Sequence, residues 1–235
     1  MIKKINVYVI TISTFLFWQL YGFIEKYFAI IEDLYFFKAL IASIFSYTSY
    51  KAFIFITVFL GNRIDIIKRI ILGNEYLNGT WIGYYQGVKG DIRYFIEIIE
   101  QDIDSIVIRG NTFYDNLELY SCWNSEAVNI NGKTGTLTYT YTYFIFGKDS
   151  VDDGLGMAKS SFIRNNSREQ PKAMNGFSTD LKFGEKITSY EEKITYNMTV
   201  DELKIKAKEL YIKRANGIYL PEEYHYHIKK NKQLE

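Results

Sequence analysis

Twenty consecutive residues without a formal charge, Ile5 to Ile24 in "INVYVITISTFLFWQLYGFI", constrain this chain more than any other feature. As a helix, a run of that length crosses a hydrocarbon core of roughly 30 Å, where no water can satisfy an irregular backbone. Lys3 and Lys4 precede it. A cleaved signal peptide has a shorter apolar core and a small-residue cleavage site, so the run is expected to stay as a membrane helix. A second run, Ala39 to Leu60, has similar length and carries one charge, Lys51. Residues 1–62 are therefore expected to form a transmembrane hairpin of two helices, 5–24 and 39–60.

Lys3, Lys4, Arg63, Lys68 and Arg69 flank the pair on one side, against Lys26 and Lys38 in the connecting segment. The positive-inside rule then puts both termini, and the rest of the chain, in the cytoplasm. The single Cys122 has no partner for an internal disulfide and suits a reducing compartment. On the second helix Ala39, Ala42, Ser43, Ser46 and Ser49 recur at three- and four-residue spacing, a stripe that lets another helix approach closely. Ala42, Ser46 and Ser49 meet either the first helix or a second protomer. Lys51 lies on a different face. An ammonium near mid-bilayer costs free energy unless it snorkels, pairs or meets water, so Lys51 is a candidate for an intramembrane role. Residues 63–76, with Ile64, Ile67 and Ile71 at helical spacing and Gly73 as a stop, read as a cytosolic helical linker.

From residue 77 the hydrophobic period changes to two, and short strand-like runs alternate with turns. Eight are expected, at 79–86, 93–100, 103–109, 111–121, 125–130, 135–146, 156–164 and 174–183. "NGKTG" at 131–135 marks a hairpin, because Asn-Gly accepts the backbone angles of a tight turn. So many antiparallel strands with an apolar face lose their exposed edges by closing, and eight of them enclose side chains or one small ligand. In "TGTLTYTYTYFIF" the threonines 134 to 142 alternate with Leu137, Tyr139, Tyr141, Tyr143 and Ile145. The larger set should face inward, which gives an aromatic inner wall. An aromatic content of 17% fits that wall better than a helical bundle. Thr199 and Glu202 form a capping-box pair ahead of Leu203, Ala207 and Leu210, so residues 198–217 are expected to be helical. The expected fold is a membrane-anchored all-β protein: a two-helix hairpin, an eight-stranded antiparallel lipocalin-like barrel over 77–197, and a C-terminal helix and tail over 198–235.

Charge narrows the partners. Residues 1–76 hold eight Lys/Arg and five Asp/Glu of the chain's 28 and 27, leaving 20 and 22 for the remainder. A slightly acidic soluble part is a poor polynucleotide binder. No phosphate-binding glycine loop with Lys, metalloprotease helix pair, nucleophile elbow or Cys/His couple is present. Asp102/Asp104 and Asp152/Asp153 read as solvated turn residues, and His225 and His227 lack a third metal ligand. No catalytic residue, metal or cofactor is expected.

Two spans, a short cytosolic helix, "LNGTWIGYY" (77–85), then "TLTYTYTY" and "MNGFSTD" among eight strand signals: the chain resembles the two-transmembrane β-barrel effectors of cyclic-oligonucleotide-based antiphage signalling (CBASS), known as SMODS-associating 2TM, β-strand-rich effector domains. The resemblance covers nearly the whole chain as architecture. It implies a barrel that binds a cyclic dinucleotide or oligonucleotide made by a partner nucleotidyltransferase of the CD-NTase type. It also implies homo-oligomerisation through the membrane helices, disruption of the bacterial inner membrane, and abortive infection. Under that reading Tyr85, Tyr139 and Tyr141 stack on bases, each stack worth about 1–3 kcal/mol in single-strand binders. Trp123 is either a loop anchor or a further stacking platform, and Trp81 plugs the closed end of the barrel. Arg93, Arg164 and Lys182 are the phosphate candidates, with Thr179 as a hydroxyl partner. The alternative is a membrane-anchored barrel for a hydrophobic ligand. The cavity discriminates: convergent cations favour a nucleotide, wholly apolar walls a lipid.

Overall fold

The computed structural model describes residues 2–27, 35–87, 90–146, 151–181, 184 and 186–216. The chain divides into two compact units, Met1–Leu72 with Asp102–Asp104, and Gly73–Gln101 with Ser105–Glu235.

The first unit holds α1 (Ile2–Tyr27), α2 (Tyr35–Arg63) and α3 (Asp65–Leu72). Among the described residues one segment, Ser43–Arg63, is long and apolar enough to cross a membrane, and almost none of it is buried. Phe45, Phe55, Ile56 and Phe59 on α2, and Phe15 and Trp18 on α1, are exposed. The hydroxyls of Thr14 and Thr48 donate to the carbonyls of Ile10 and Ile44, one turn back, at 2.8 Å each. This satisfies them without water. Ser46 Oγ donates to the Ser13 carbonyl of α1 at 3.4 Å. At Ser46, then, the small-residue stripe packs on the neighbouring helix of the same chain. Ser49 is half-buried, and the side chain of Ala42 lies outside what is described. Lys51 is exposed, with its ammonium 5.6 Å from the Tyr47 ring centre, one turn away. Asp102, from the expected solvated pair, accepts an ion pair from the nearly buried Lys68 at 3.0 Å.

The second unit is a closed barrel of eight antiparallel strands in sequence order: β1 (Gly79–Gln86), β2 (Ile92–Gln101), β3 (Ile106–Phe113), β4 (Leu119–Asn131), β5 (Thr136–Phe146), β6 (Val151–Ile163), β7 (Ala173–Asp180) and β8 (Lys186–Lys193). The expected number is met with a different division. β4 runs unbroken through Cys122 to Asn124, where two strands were expected to meet. The irregularity there is a bulge between Ser125 and Ala127, which bends a strand without ending it. β6 starts at Val151, inside a stretch expected to be loop, because Asp152 to Leu155 pair with Ile145 to Thr142. β8 was not expected as a strand at all. Its charged sequence "KITSYEEK" hides a pairing with β1 from Trp81–Lys193 to Tyr85–Ser189 that closes the cylinder.

Alternation on β5 follows the expectation. Leu137, Tyr139, Tyr141, Tyr143 and Ile145 turn inward and the threonines outward. Helix α4 (Val200–Ala215) opens on the Thr199–Glu202 capping box, with both reciprocal bonds made. Its Leu203, Ala207 and Leu210 cover the outer face of the barrel at Ile82, Tyr94, Ile96 and Tyr190. That cover explains why β2 is apolar on both faces.

Candidate ligand-binding site

One end of the barrel is solid. Trp81, Leu77, Ile99, Ile108, Leu137 and Met174 fill it and are essentially inaccessible. The Trp81 indole N–H donates to the Leu77 carbonyl at 2.9 Å. Gln101 fastens the entering chain: its Oε1 accepts from Leu77 N at 2.7 Å, and its Nε2 donates to the Glu75 carbonyl at 2.9 Å. Trp81 is thus the plug its position suggested, and "LNGTW" is a lid of satisfied hydrogen bonds.

The other end is hollow, with a cavity of about 460 Å³, within the usual range of ligand pockets. Its aromatic wall comes from Tyr85, Phe95, Trp123, Tyr139, Tyr141 and Tyr143. Glycines on neighbouring strands make room for the rings. A Cβ on Gly110 would strike the Trp123 indole, on Gly83 the Phe95 ring, and on Gly154 and Gly156 the rings of Tyr143 and Tyr141. Phe95 meets Trp123 edge-on at 5.9 Å, and Tyr139 and Tyr141 are 5.7 Å apart. Burial pushes the hydroxyls of Tyr85, Tyr139 and Tyr141 up, for Tyr139 helped by the charges of Glu97 and Glu191. All three are therefore neutral hydrogen-bonding groups.

The expected site residues fall into three groups. Tyr85, Trp123, Tyr139, Tyr141 and Arg93 all line the cavity. Arg93 is clamped between the rings of Tyr114 and Tyr120, 4.5 and 4.6 Å from their centres, and is paired with Asp91. Its Nε is buried and has no hydrogen-bond partner. Arg164 and Thr179 are elsewhere. Arg164 donates to the Gly132 carbonyl of the β4–β5 hairpin at 2.7 Å, at the solid end, where it ties two loops together. Thr179 alternates with the cavity-lining Ser178 and Asp180 and so faces outward. Lys182 lies outside the described residues, as do His225 and His227.

The cavity also holds a feature the sequence reading missed. Glu97 of β2 and Glu191 of β8 point into its floor, 2% and 4% exposed. Tyr139 donates its hydroxyl to Glu97 Oε2 at 2.8 Å, and Ser160 donates to Glu191 Oε1 at 3.3 Å. Burial pushes Glu97 up to about 7, against the hydrogen-bonding pull of Tyr139, Trp123 and Glu191. Burial and then the Glu97 charge push Glu191 well above the carboxylate range. Two carboxyls this close in a dry site cannot both ionise, so at neutral pH Glu191 is the one that keeps a proton. The Trp123 indole and the protonated Glu191 are both within hydrogen-bonding reach of Glu97, so the three groups satisfy one another in part. The glutamate at 97 shares its inward face with Arg93, Phe95 and Ile99, but both faces of β2 are buried there, so alternation did not single it out. Glu191 was missed because its strand was not recognised.

Chemically the cup offers flat apolar faces, one stacked guanidinium and an acidic floor. Among the described residues no group of three His, Cys, Asp or Glu is placed to hold a metal. No protein-family model matches the sequence, and no curated protein matches it.

Proposed function

We propose that this protein is a membrane-anchored sensor whose barrel takes a small ring-bearing ligand into its hollow end, and that the ligand is a cyclic di- or oligonucleotide. The observation that carries the reading is the aromatic cup itself: five of the eight expected ligand residues converge on one cavity whose rings are housed by glycines. A hydrophobic ligand is the weaker reading, because the cavity presents two carboxyls and a guanidinium, polar groups that a lipid tail does not solvate.

The charge pattern sets how a nucleotide would sit. Arg93 is the one Lys or Arg lining the cavity among the described residues, and Glu97 is four residue steps further along the strand, roughly 13 Å away. The anionic backbone belongs near Arg93 and a base belongs inside. This differs from a pocket of convergent cations and removes Arg164 from the phosphate role. Asp91 must yield part of its hold on the guanidinium when phosphate arrives.

The membrane half completes the proposal. Two apolar helices cross the inner membrane, with the barrel in the cytoplasm, and ligand binding drives protomers together and breaches the bilayer. A ligand shifts that equilibrium only by its difference in affinity between resting and assembled forms. Full-length protein in detergent is expected to grow in mass by light scattering when a cyclic dinucleotide that it binds is added. An unchanged mass with the ligand bound would refute the assembly step.

A further inference from the structure

The chain passes between its two compact units at Leu72–Gly73, Gln101–Asp102 and Asp104–Ser105. The last two crossings bound the turn from β2 to β3, which therefore belongs to the helical unit and not to the barrel's own. No other turn of the barrel does so. Hairpin turns ordinarily run over the surface, yet Ile103 at the tip of this one is 2% exposed. Its side chain fills the space at Gly61, near the end of α2, where a Cβ would strike it, with Ile71 beside it. Asn62 clasps the same turn: its Oδ1 accepts from Ile103 N at 2.9 Å, and its Nδ2 donates to Asp104 Oδ1 at 3.5 Å. Lys68 of α3 pairs with Asp102. A knob, a clasp and an ion pair, all inside the first unit, thus seat three residues of a β-turn among helices.

The strand that runs into this turn also lines the cavity, through Arg93, Phe95 and Glu97. Gln101, its last residue, bonds to Leu77 N, the Glu75 carbonyl and, through its own N–H, Asn78 Oδ1. β2 is therefore tied at its far end to the chain leaving α3 and continues directly into the seated turn.

We infer that β2 and its Asp102–Asp104 turn couple the cup to the membrane helices, with Ile103 at Gly61 as the seat that ligand binding shifts. This rests on the ligand-binding reading above and names how that site is linked to assembly. Close-packed contacts hold discrete arrangements and do not stretch, so a shift of β2 either keeps the knob seated or expels it. Expulsion releases Asn62 and Lys68 at the α2–α3 junction from their partners in the turn. The coupling is reciprocal, so an assembly that favours the unseated turn tightens ligand binding by the same factor.

The test has two arms on full-length protein in detergent. Without ligand, hydrogen exchange is compared between Phe95→Ala, which disturbs the cup on β2, and Tyr143→Ala, which disturbs it on β5. Phe95→Ala is expected to speed exchange at Ile103 and across 61–72 by roughly threefold or more, with β7 and β8 unchanged, and Tyr143→Ala to leave those amides as they are. Equal effects of the two substitutions, or none from Phe95→Ala, would overturn the inference. In the second arm calorimetry and light scattering with cyclic di-AMP, cyclic di-GMP and cyclic GMP–AMP are read together on Ile103→Ala and Asn62→Ala, whose thermal transitions report that they fold. Both variants are expected to bind the dinucleotide that wild type binds while needing roughly tenfold more of it to grow in mass. Growth at the wild-type concentration, or loss of binding together with growth, would overturn the inference. Wild-type protein that binds none of the three, or binds without growing, would sink the reading above, while the exchange arm would still decide this one.

Discussion

The two ends of the barrel are made from the same eight strands and differ in what they leave unfinished. Around Trp81 the filling is inaccessible and largely aliphatic, and the indole and Gln101 are hydrogen-bonded. Around Tyr141 the walls are aromatic and half-buried, and the floor holds two buried carboxyls. The difference separates two jobs along each strand. β1 gives Trp81 to the plug and Tyr85 to the cup, while β5 gives Leu137 to the plug and Tyr141 to the cup.

The largest expected effect falls on the solid end. Trp81→Ala should cost about 3–5 kcal/mol of stability by denaturant unfolding, because the neighbouring strands cannot collapse onto the void. Tyr141→Ala should cost only about 1–2 kcal/mol but weaken ligand binding at least tenfold. If both variants lose the same stability, the two ends are not different in kind.

Next in size is the response to pH. Glu97 and Glu191 hold protons in the folded state that they release when unfolded, between about pH 4.5 and 7 for Glu97. Folded protein therefore binds more protons in that window, and stability falls as pH rises through it, with no penalty below the unfolded value. Tyr139, the ionisable group bonded to the pair, is neutral there and does not compensate; Asp91, Arg93, Asp152 and Asp180 are the charged groups that line the same cavity. The melting temperature should drop by roughly 3–8 °C from pH 5 to pH 8. Glu97→Gln should flatten that slope, and a slope unchanged by the substitution would mean the pair is solvated.

A third effect is finer. Gly156→Ala puts a methyl into the Tyr141 ring and is expected to cost about 1–3 kcal/mol while displacing the ring from the cup. Arg164→Glu, by contrast, should lower stability through the lost Gly132 bond and leave ligand affinity alone. The smallest effect is Thr199→Ala, about 1 kcal/mol, from loss of the α4 capping box.

How much of this was legible in the sequence depended on whether a strand has one buried face or two. β5 alternates cleanly because its threonines meet water, so its inward set, Tyr139 and Tyr141 included, could be read directly. β2 carries Tyr94 and Ile96 outward under α4 as well as Phe95 and Ile99 inward, and alternation is lost when a helix covers the second face. That concealed Glu97 as a floor residue. β8 was concealed for the opposite reason: its inward Ser189 and Glu191 are polar, as a cavity requires, so no hydrophobic run marks it. Arg164 fell at the solid end because a charge near a strand end carries no information on which end of the barrel it serves, and Thr179 fell on the outer face because β7, "AMNGFSTD", has no clean alternation to set its faces. The capping box at Thr199 was readable because its chemistry is wholly local.

Titration of full-length protein with a panel of cyclic di- and trinucleotides, followed by calorimetry beside the Tyr141→Ala variant, tests the hollow end most directly. Saturable binding by at least one of them, weakened tenfold or more by the variant, is the expected result. No heat from any of the panel, or equal affinity in the two proteins, would contradict it.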